Sequence, residues 1–401
     1  MKMQTDTQEK GYSLLYLAIL GSCACAVVQL YALPRHNVLL ISLSAWALQL
    51  IWLVMGAWTM VARIGKVFPR KLVSFLLLVL FSVLVCGISV AGDMGSMMPV
   101  GIKLAGFLSL PIMLLCSAMD RTEKVKKIIL GFFVVASVIF VDLYHSSLRH
   151  VFYGEYGVTY LNEVTLGYDN PNATAMYLMV CVIGLIVGAF YCRTIVVKLF
   201  FFADAIYMTW IVLQTESRAA LVLLFVFAIM VCNVKRWKIT SRTVRVVIIC
   251  PLIVMILPIL IPGIERLYFL GSALYNGREQ LTFEYVDNMS VIRFFVGNMA
   301  SYGLGNLHNG YLAIMASLGV PVCVCYMTFL VRNLISNLPD RNKPMYMRVA
   351  FMGFLCIVLQ TSAEAAFFAS GGLFAFLVYS VYTLFGQPYA QNHDGWEGDM
   401  R

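Results

Sequence analysis

The sequence GLGNLHNGYLAIMASLGVP, residues 303–321, joins a polar, glycine-rich turn to an apolar segment of helical length. It closes the longest interval between two very hydrophobic segments, residues 263–308, which contains Arg266, Arg278 and Arg293. His308 stands at the junction. A side chain that can accept a proton, beside a loop that carries arginines, indicates chemistry on an anionic substrate at a membrane surface.

Composition fixes the class of protein. The chain has 401 residues, of which 61% are hydrophobic and 12% are charged, and its mean hydropathy is +0.84. Soluble domains carry about 25% charged residues, so water-exposed surface is too scarce here for anything other than an integral membrane protein. The cysteines lie mostly within apolar segments, so they predict neither a disulfide framework nor a metal pair.

Hydropathy predicts an all-α, polytopic membrane protein with about 12 transmembrane helices, built as a single integral membrane domain over residues 1–401. Two outer loops are expected, 144–171 and, between helices 9 and 10, the large extracytoplasmic loop 263–308. The first segment reads as a retained anchor, because it lacks a short apolar core with a cleavage site. The predicted segments are 13–33, 38–60, 72–91, 99–118, 128–143, 172–192, 196–213, 218–233, 243–262, 309–331, 346–363 and 367–385.

The placement of lysine and arginine predicts the orientation. With the N-terminus inside, 22 of the 29 basic residues fall in the termini and in the loops that would be cytoplasmic, as the positive-inside rule requires. Both termini are therefore expected in the cytoplasm, and the net charge of +9 indicates topology and no nucleic-acid partner. The remaining basic residues are Arg35, Lys103, Arg149, Arg218, Arg266, Arg278 and Arg293, and all but Lys103 would lie outside.

Arg218 opens the eighth segment, where Ser217 or Thr215 can cap the helix. An arginine in the first turn opposes the helix macrodipole, which favours anions at that end. A bound anion would reverse this balance, because the guanidinium and the helix N-terminus would converge on it. We expect Arg218 to bind substrate; the alternative is an interfacial arginine that pairs with Glu216.

Arg278 follows the turn signal Asn276-Gly277 and opens a stretch of helical periodicity that reaches Met299. On a continuous helix Arg293 would lie roughly 22 Å from Arg278, so the two could not bind one diphosphate. Arg278, at the helix start, is the predicted anion ligand. Arg293 is expected to pair with a nearby carboxylate or to lie at the lipid surface.

The sixth segment starts after GYDN, residues 167–170, with Pro171 at the first helical position. Asp169 or Asn170 is expected to cap the helix, and Asn172 is a weaker candidate for sugar binding. The predicted cytoplasmic loops hold no Asp-x-Asp pair, and the chain has no Walker loop. We therefore expect neither a metal nor another cofactor.

These residues together resemble the O-antigen ligase and polymerase superfamily of bacterial membrane glycosyltransferases. The shared features are an arginine before an apolar helix, a Gly-Arg pair in the large loop, and a Gly-x-Gly then His-Asn-x-Tyr run followed by a glycine. The chain lacks the tryptophan often found after Gly-Arg, and its interval from Arg278 to His308 is short. The matching residues are Ser217 to Leu221, Gly277, Arg278, Gly303, Gly305, His308, Asn309, Tyr311 and Gly319.

The resemblance implies metal-independent transfer of a glycan from a polyprenyl diphosphate, such as undecaprenyl diphosphate, to an acceptor glycan or glycolipid outside the bacterial cytoplasmic membrane. Arg218 and Arg278 would neutralise the leaving diphosphate and His308 would deprotonate the acceptor. Membrane lipids, a flippase and a chain-length regulator are the other partners that it implies. The residues expected to bind substrate are Asn309, Gly303, Gly305, Tyr311 and Asn172.

Three functions follow. The short loop favours a polymerase that makes O-antigen, capsule or exopolysaccharide, and the same chemistry would serve an O-antigen ligase acting on lipid A core. A polysaccharide transporter or flippase is the alternative from another class, although the sequence lacks the two related halves that many transporters have.

Overall fold

The computed structural model describes residues 2–63, 70–91, 97–116, 123–153, 165–168, 171–237, 239–260, 290–298, 309–361 and 372–386. These residues are almost entirely helical and include no strand. The helices are α1 (Lys2–Ala32), α2 (Val38–Arg63), α3 (Arg70–Val90), α4 (Met97–Cys116), α5 (Glu123–Tyr153), α6 (Pro171–Tyr191), α7 (Ile195–Gln214), α8 (Arg218–Cys232), α9 (Ser241–Leu260), α10 (Val291–Val296), α11 (Gly310–Ile335), α12 (Met345–Gln360) and α13 (Leu373–Phe385).

Each predicted hydrophobic segment overlaps one of these helices, and the short α10 falls outside all of them. Seven helices in the described part of the chain are long and apolar enough to cross a membrane, and four shorter ones are also apolar. The all-α membrane architecture is thus confirmed, whereas the count of about twelve spans stays a prediction. So does the large loop 263–308, most of which lies outside the described residues.

Helix α5 differs from its predicted segment. We predicted a short span over 128–143 that could extend or tilt, followed by the outer loop 144–171, and the helix extends at both ends, from Glu123 to Tyr153. The first part of that predicted loop is therefore helical. Hydropathy missed it because residues 144–153 include polar side chains, although their helical course continues without interruption.

Helix α6 lies at the centre of the bundle and packs against α5, α7, α8, α12 and α13. It is apolar on all sides, as expected of a helix surrounded by protein. Small residues bring the neighbouring helices close: a Cβ at Gly184 would lie 2.4 Å from Phe133, and one at Gly353 would lie 2.3 Å from Ile183. Close backbone approach of this kind replaces the hydrophobic drive that helices lack in a membrane.

Contacts between helix termini define two ends of the bundle. At one end the Gly310 amide donates to the Thr361 carbonyl, so α11 begins where α12 finishes. We call this the Asn309 end, after the residue that precedes α11. At the other, the Tyr346 end, the rings of Tyr346 and Tyr191 lie 5.2 Å apart, so α12 begins where α6 finishes.

Basic residues gather at the Tyr346 end, as the orientation prediction requires of a cytoplasmic face. Their placement follows from the contacts Lys126 to Tyr346, Arg332 to Ser74 and Arg348 to Val234, which join helix termini at that end. Which compartment the end faces stays a prediction. The residues are Lys124, Lys126, Lys127, Arg193, Lys198, Lys235, Arg236, Arg242, Arg245, Arg332, Arg341, Lys343 and Arg348.

Candidate functional site

Asn309 is the N-cap of α11. Its backbone is extended, and its side-chain oxygen accepts hydrogen bonds from the Tyr311 amide at 3.0 Å and the Leu312 amide at 3.3 Å. Asparagine suits this position because its short side chain satisfies amides that have no partner within the helix. The turn-to-helix junction predicted from the sequence is therefore fixed at the residue that follows His308 in the chain.

The start of α11 is bound to the end of α12. The Gly310 amide lies 2.7 Å from the Thr361 carbonyl, and the Tyr311 hydroxyl is close enough to interact with the Thr361 side chain. Tyr311 is fully buried. It forms part of the support beneath the helix start, and its expected contact with substrate stays a prediction.

Helix α11 is broken at Gly319, whose φ of 80° and ψ of 165° are not helical. Pro321 contributes to the break, because proline has no amide to donate and its ring clashes with the carbonyl four residues earlier. Hydropathy predicted one continuous segment over 309–331. Gly319, expected only as a motif residue, in fact divides α11 into two helical pieces.

Helix α10 packs against this break, backbone to backbone. A Cβ at Gly297 would lie 2.5 Å from the Leu318 nitrogen, and one at Gly319 would lie 2.2 Å from the Phe295 carbonyl oxygen. The Asn298 amide donates to the Ala316 carbonyl at 2.7 Å. The break therefore leaves the Ala316 carbonyl without a partner inside α11, and the Asn298 amide, just after α10, supplies the hydrogen bond.

The continuous helix predicted from Arg278 to Met299 is wrong. Ser290 is extended and caps α10 by accepting a hydrogen bond from the Arg293 amide, and Gly297 ends the helix with a φ of 65°. Apolar residues recur at helical spacing on both sides of Ser290, so the periodicity alone predicted one helix. Serine is a preferred N-cap, and this sign of a new helix start was outweighed by the periodicity. The separation of roughly 22 Å that excluded Arg293 assumed a straight helix at 1.5 Å per residue, so Arg293 returns as a candidate.

Arg218 is the first residue of α8 and is exposed. Ser217 occupies the N-cap position, as expected, but its hydroxyl makes no cap hydrogen bond. That hydroxyl is buried and has no partner among the described residues. Because the helix amides do not use the Ser217 hydroxyl, this polar group at the Asn309 end can bind another partner.

Gln360, the last residue of α12, is a second buried polar group at this end. It is 1% exposed, and neither atom of its side-chain amide has a hydrogen-bond partner in the described part of the chain. Gly353 contacts Phe227 of α8. Counting at about 1.5 Å per residue from that contact places Gln360 and Ser217 within roughly one helical turn of each other along the bundle axis.

Asn172 is half-buried in the first turn of α6, and Pro171 occupies the first helical position, as predicted. The segment before α6 is held in place: Thr174 Oγ1 donates to the Thr165 carbonyl at 2.7 Å, and the Tyr168 hydroxyl donates to the Leu30 carbonyl at 3.1 Å. Burial raises the pKa of the Tyr168 hydroxyl well above its ordinary value, so this tyrosine stays neutral.

The structure brings some of the predicted site residues to one end and leaves others undescribed. Asn309 and Tyr311 begin α11, Arg218 begins α8 and Asn172 begins α6, all at the Asn309 end. Helix α8 packs beside α12, and α11 starts at the end of α12. The N-termini of α8 and α11 add partial positive charge to that of Arg218. The predictions for His308, Arg278, Gly303 and Gly305 lie outside the described residues.

Two carboxylates that were not predicted as site residues, Asp204 and Asp142, make contacts between helices or their ends. Asp204 lies nine residues after the start of α7 and ten before its end, and its carboxylate accepts a hydrogen bond from Ser137 at 2.7 Å. Asp142 pairs with Arg35 at 3.5 Å. A carboxylate in the middle of an apolar helix is itself a signal of function, and it could have been read from the sequence. Within the described residues no group of three side chains could hold a metal ion.

No protein-family model, curated protein or solved structure matches this chain. The resemblance to the O-antigen ligase and polymerase superfamily therefore depends on the motif residues alone.

Replacing Gly319 with alanine should destabilise the protein, since both the positive φ and the Phe295 carbonyl oppose a Cβ there. Backbone strain of this kind costs about 1–3 kcal/mol. The measurement is the thermal unfolding midpoint of the detergent-solubilised protein. Gly101→Ala in α4 is the matched control, because nothing lies within 4 Å of its added Cβ. Equal midpoints for the two variants would contradict the tight backbone contact at the break.

Proposed function

We propose that this protein is a membrane glycosyltransferase that moves a glycan from a polyprenyl diphosphate to an acceptor sugar hydroxyl. Its site would lie at the Asn309 end of the bundle, which the charge distribution predicts to be extracytoplasmic. A surface-polysaccharide polymerase is the preferred form of this proposal, because of the short interval between Arg278 and His308. An O-antigen ligase would use the same residues with lipid A core as acceptor.

The observation that carries the proposal is that two buried polar groups at the Asn309 end, the Ser217 hydroxyl and the Gln360 amide, have no hydrogen-bond partner among the described residues. Leaving such groups unsatisfied in an apolar interior costs about 1–3 kcal/mol each, so each calls for an explanation. A bound substrate rich in hydroxyl and phosphate oxygens would supply the missing hydrogen bonds. Both groups lie close along the bundle axis to Arg218, the residue that follows Ser217.

Charge at the Asn309 end suits a diphosphate. Arg218 is exposed at the start of α8, and its guanidinium can bind two phosphate oxygens at once. The amides in the first turn of α8, which has no side-chain cap, add to its positive charge. An arginine that the macrodipole would otherwise disfavour is thus stabilised when a dianion lies between it and the helix start.

The reaction would be a substitution at the anomeric carbon of the donor. The acceptor hydroxyl oxygen forms a bond to the anomeric carbon. The bond between that carbon and the diphosphate oxygen breaks, and its electron pair leaves with the polyprenyl diphosphate. Arg218 and Arg278 would stabilise the negative charge that develops on the leaving group. His308 would take the proton that the acceptor hydroxyl loses.

Replacing Arg218 or Arg278 with alanine should lower the rate of glycan transfer about 10²–10³-fold, the usual cost of removing one group that stabilises developing charge. The assay follows chain lengthening of an undecaprenyl-diphosphate oligosaccharide by the purified protein. Arg236→Ala is the matched control, since Arg236 is exposed at the Tyr346 end and should retain the wild-type rate. Full activity of Arg218→Ala would make Arg218 an interfacial residue and remove the anion site.

Replacing His308 with alanine should cut transfer about 10²–10⁴-fold while leaving donor binding nearly unchanged. Only the neutral imidazole accepts a proton, so the wild-type rate should fall as the pH drops below the histidine pKa, near 6.5 for an unperturbed side chain. A pH–rate profile and a donor-binding assay on the same preparation separate the two effects. If the variant loses donor binding in parallel with activity, His308 is a structural residue of the turn.

Transport of a polysaccharide precursor is the second candidate, and two observations favour it. Helix α11 is discontinuous at Gly319, and Asp204 lies at the middle of α7. Transporters commonly use broken helices and ionisable residues at this depth.

Replacing Asp204 with asparagine separates the two candidates. The transferase proposal expects Asp204→Asn to keep near wild-type transfer, because Asp204 is about 14 Å along α7 from either of its ends. Ser137→Ala is the control, since it keeps the carboxylate and removes the Ser137 hydroxyl, which contacts Asp204 and the Val134 carbonyl. The contrary result has two parts. Wild-type protein would carry a lipid-linked glycan across a vesicle membrane without lengthening it, and the Asp204→Asn variant would not carry it. That result would show that the protein is a transporter and not a transferase.

A further inference from the structure

A cavity of about 820 Å³ opens at the Tyr346 end, far from the candidate site. Helices α5, α6, α7 and α12 contribute to its wall, and Arg193 contributes from the link between α6 and α7. The helical residues are Glu123, Lys127, Tyr191, Lys198 and Tyr346. The lining combines cations with aromatic rings. No part of the proposed transfer reaction uses it.

The single carboxylate in this lining is already satisfied. One oxygen of Glu123 accepts from Lys126 Nζ at 2.8 Å, and the other accepts from the Tyr191 hydroxyl at 2.5 Å. Lys126 also donates to the Tyr346 hydroxyl at 2.8 Å. This network joins the ends of three helices and neutralises the acid, so Glu123 offers little repulsion to an incoming anion.

Three cations of the lining keep their charge available. Lys127 and Arg193 are exposed and Lys198 is half-buried. None of the three forms an ion pair with a described carboxylate, and Lys127 acts on Glu123 only at longer range. The cavity wall therefore carries a net positive charge that protein groups in the described part of the chain do not balance.

Two helices also begin at this cavity without a side-chain cap. Thr194 precedes α7 and Pro344 precedes α12, and neither side chain accepts from the helix amides. Amides in a first helical turn lack partners within the helix and favour an anion. They supplement the three cations.

The surface beside the cavity is apolar. Ile195, Leu199 and Phe202 of α7 are exposed, and Lys198 lies among them in the sequence. On a membrane-spanning helix such a face contacts lipid chains. A ligand with a phosphate in the cavity could thus lay hydrocarbon along α7, which a soluble phosphate could not do.

We propose that this cavity is a binding site for the phosphate headgroup of an anionic phospholipid in the leaflet at the Tyr346 end. Lys127, Arg193 and Lys198 bind the phosphate oxygens, and the acyl chains follow the exposed face of α7. The site is independent of the proposed transfer reaction.

The test compares wild-type protein with the triple variant Lys127→Gln, Arg193→Gln, Lys198→Gln. The thermal unfolding midpoint of the full chain is followed in detergent during titration with phosphatidylglycerol, and separately with phosphatidylcholine. Wild type should be stabilised by phosphatidylglycerol alone. The triple variant should need about 100-fold more phosphatidylglycerol for the same shift, because each of the three cations contributes roughly fivefold in affinity near a membrane surface.

The matched control is the triple variant Arg236→Gln, Arg242→Gln, Arg245→Gln, which removes three exposed arginines from the same end but outside the cavity. It should titrate like wild type, and Lys127→Arg with Lys198→Arg should retain binding.

Equal losses in both triple variants would show that general surface charge causes the effect, and would overturn the site. Inorganic diphosphate that shifts the midpoint as much as phosphatidylglycerol would show a soluble ligand and overturn the assignment to lipid. Should the cavity triple variant fail to fold, Arg193→Gln alone must weaken phosphatidylglycerol binding, or the proposal fails.

Discussion

Every backbone polar group inside a membrane needs a partner within the protein, and this structure meets that constraint at a broken helix. At Gly319 the hydrogen bonds of α11 are interrupted, and α10 with the residues after it approaches closely enough for the Asn298 amide to bind the Ala316 carbonyl. The approach needs glycine on both sides, at 297 and 319. The position of α10, and with it that of Arg293, depends on this contact.

The bundle separates its charge along its axis. Most described basic residues lie at the Tyr346 end, where Lys126 and Glu123 connect α5 with α6 and α12. The Asn309 end has fewer cations among the described residues: Arg218 begins α8, Arg293 lies in α10 beside the broken helix, and Arg35 pairs with Asp142. A sparse cation in an apolar setting interacts more strongly with an anion than one among many in water, because the local dielectric constant is low.

The sequence predicted the parts of the fold that depend on local patterns. Apolar segments located the long helices, the polar, glycine-rich turn before the segment 309–331 located the start of α11, and Arg218 begins α8 as expected. The break at Gly319 could not be predicted, because glycine and proline also occur in unbroken transmembrane helices, and only the approach of α10 decides the conformation. Likewise, that the Ser217 hydroxyl and the Gln360 amide have no hydrogen-bond partner among the described residues is a property of the packed bundle, and the Ser137–Asp204 contact joins distant parts of the chain.

The central position of α6 has a consequence for how the protein is made. This helix packs against α5, which is synthesised before it, and against α12, which is synthesised near the end of the chain. During translation one side of α6 must therefore contact lipid or the insertion machinery while several later helices enter the membrane. The bundle can close only when its last helices arrive, so assembly is a late, long-range event even though each helix can insert on its own.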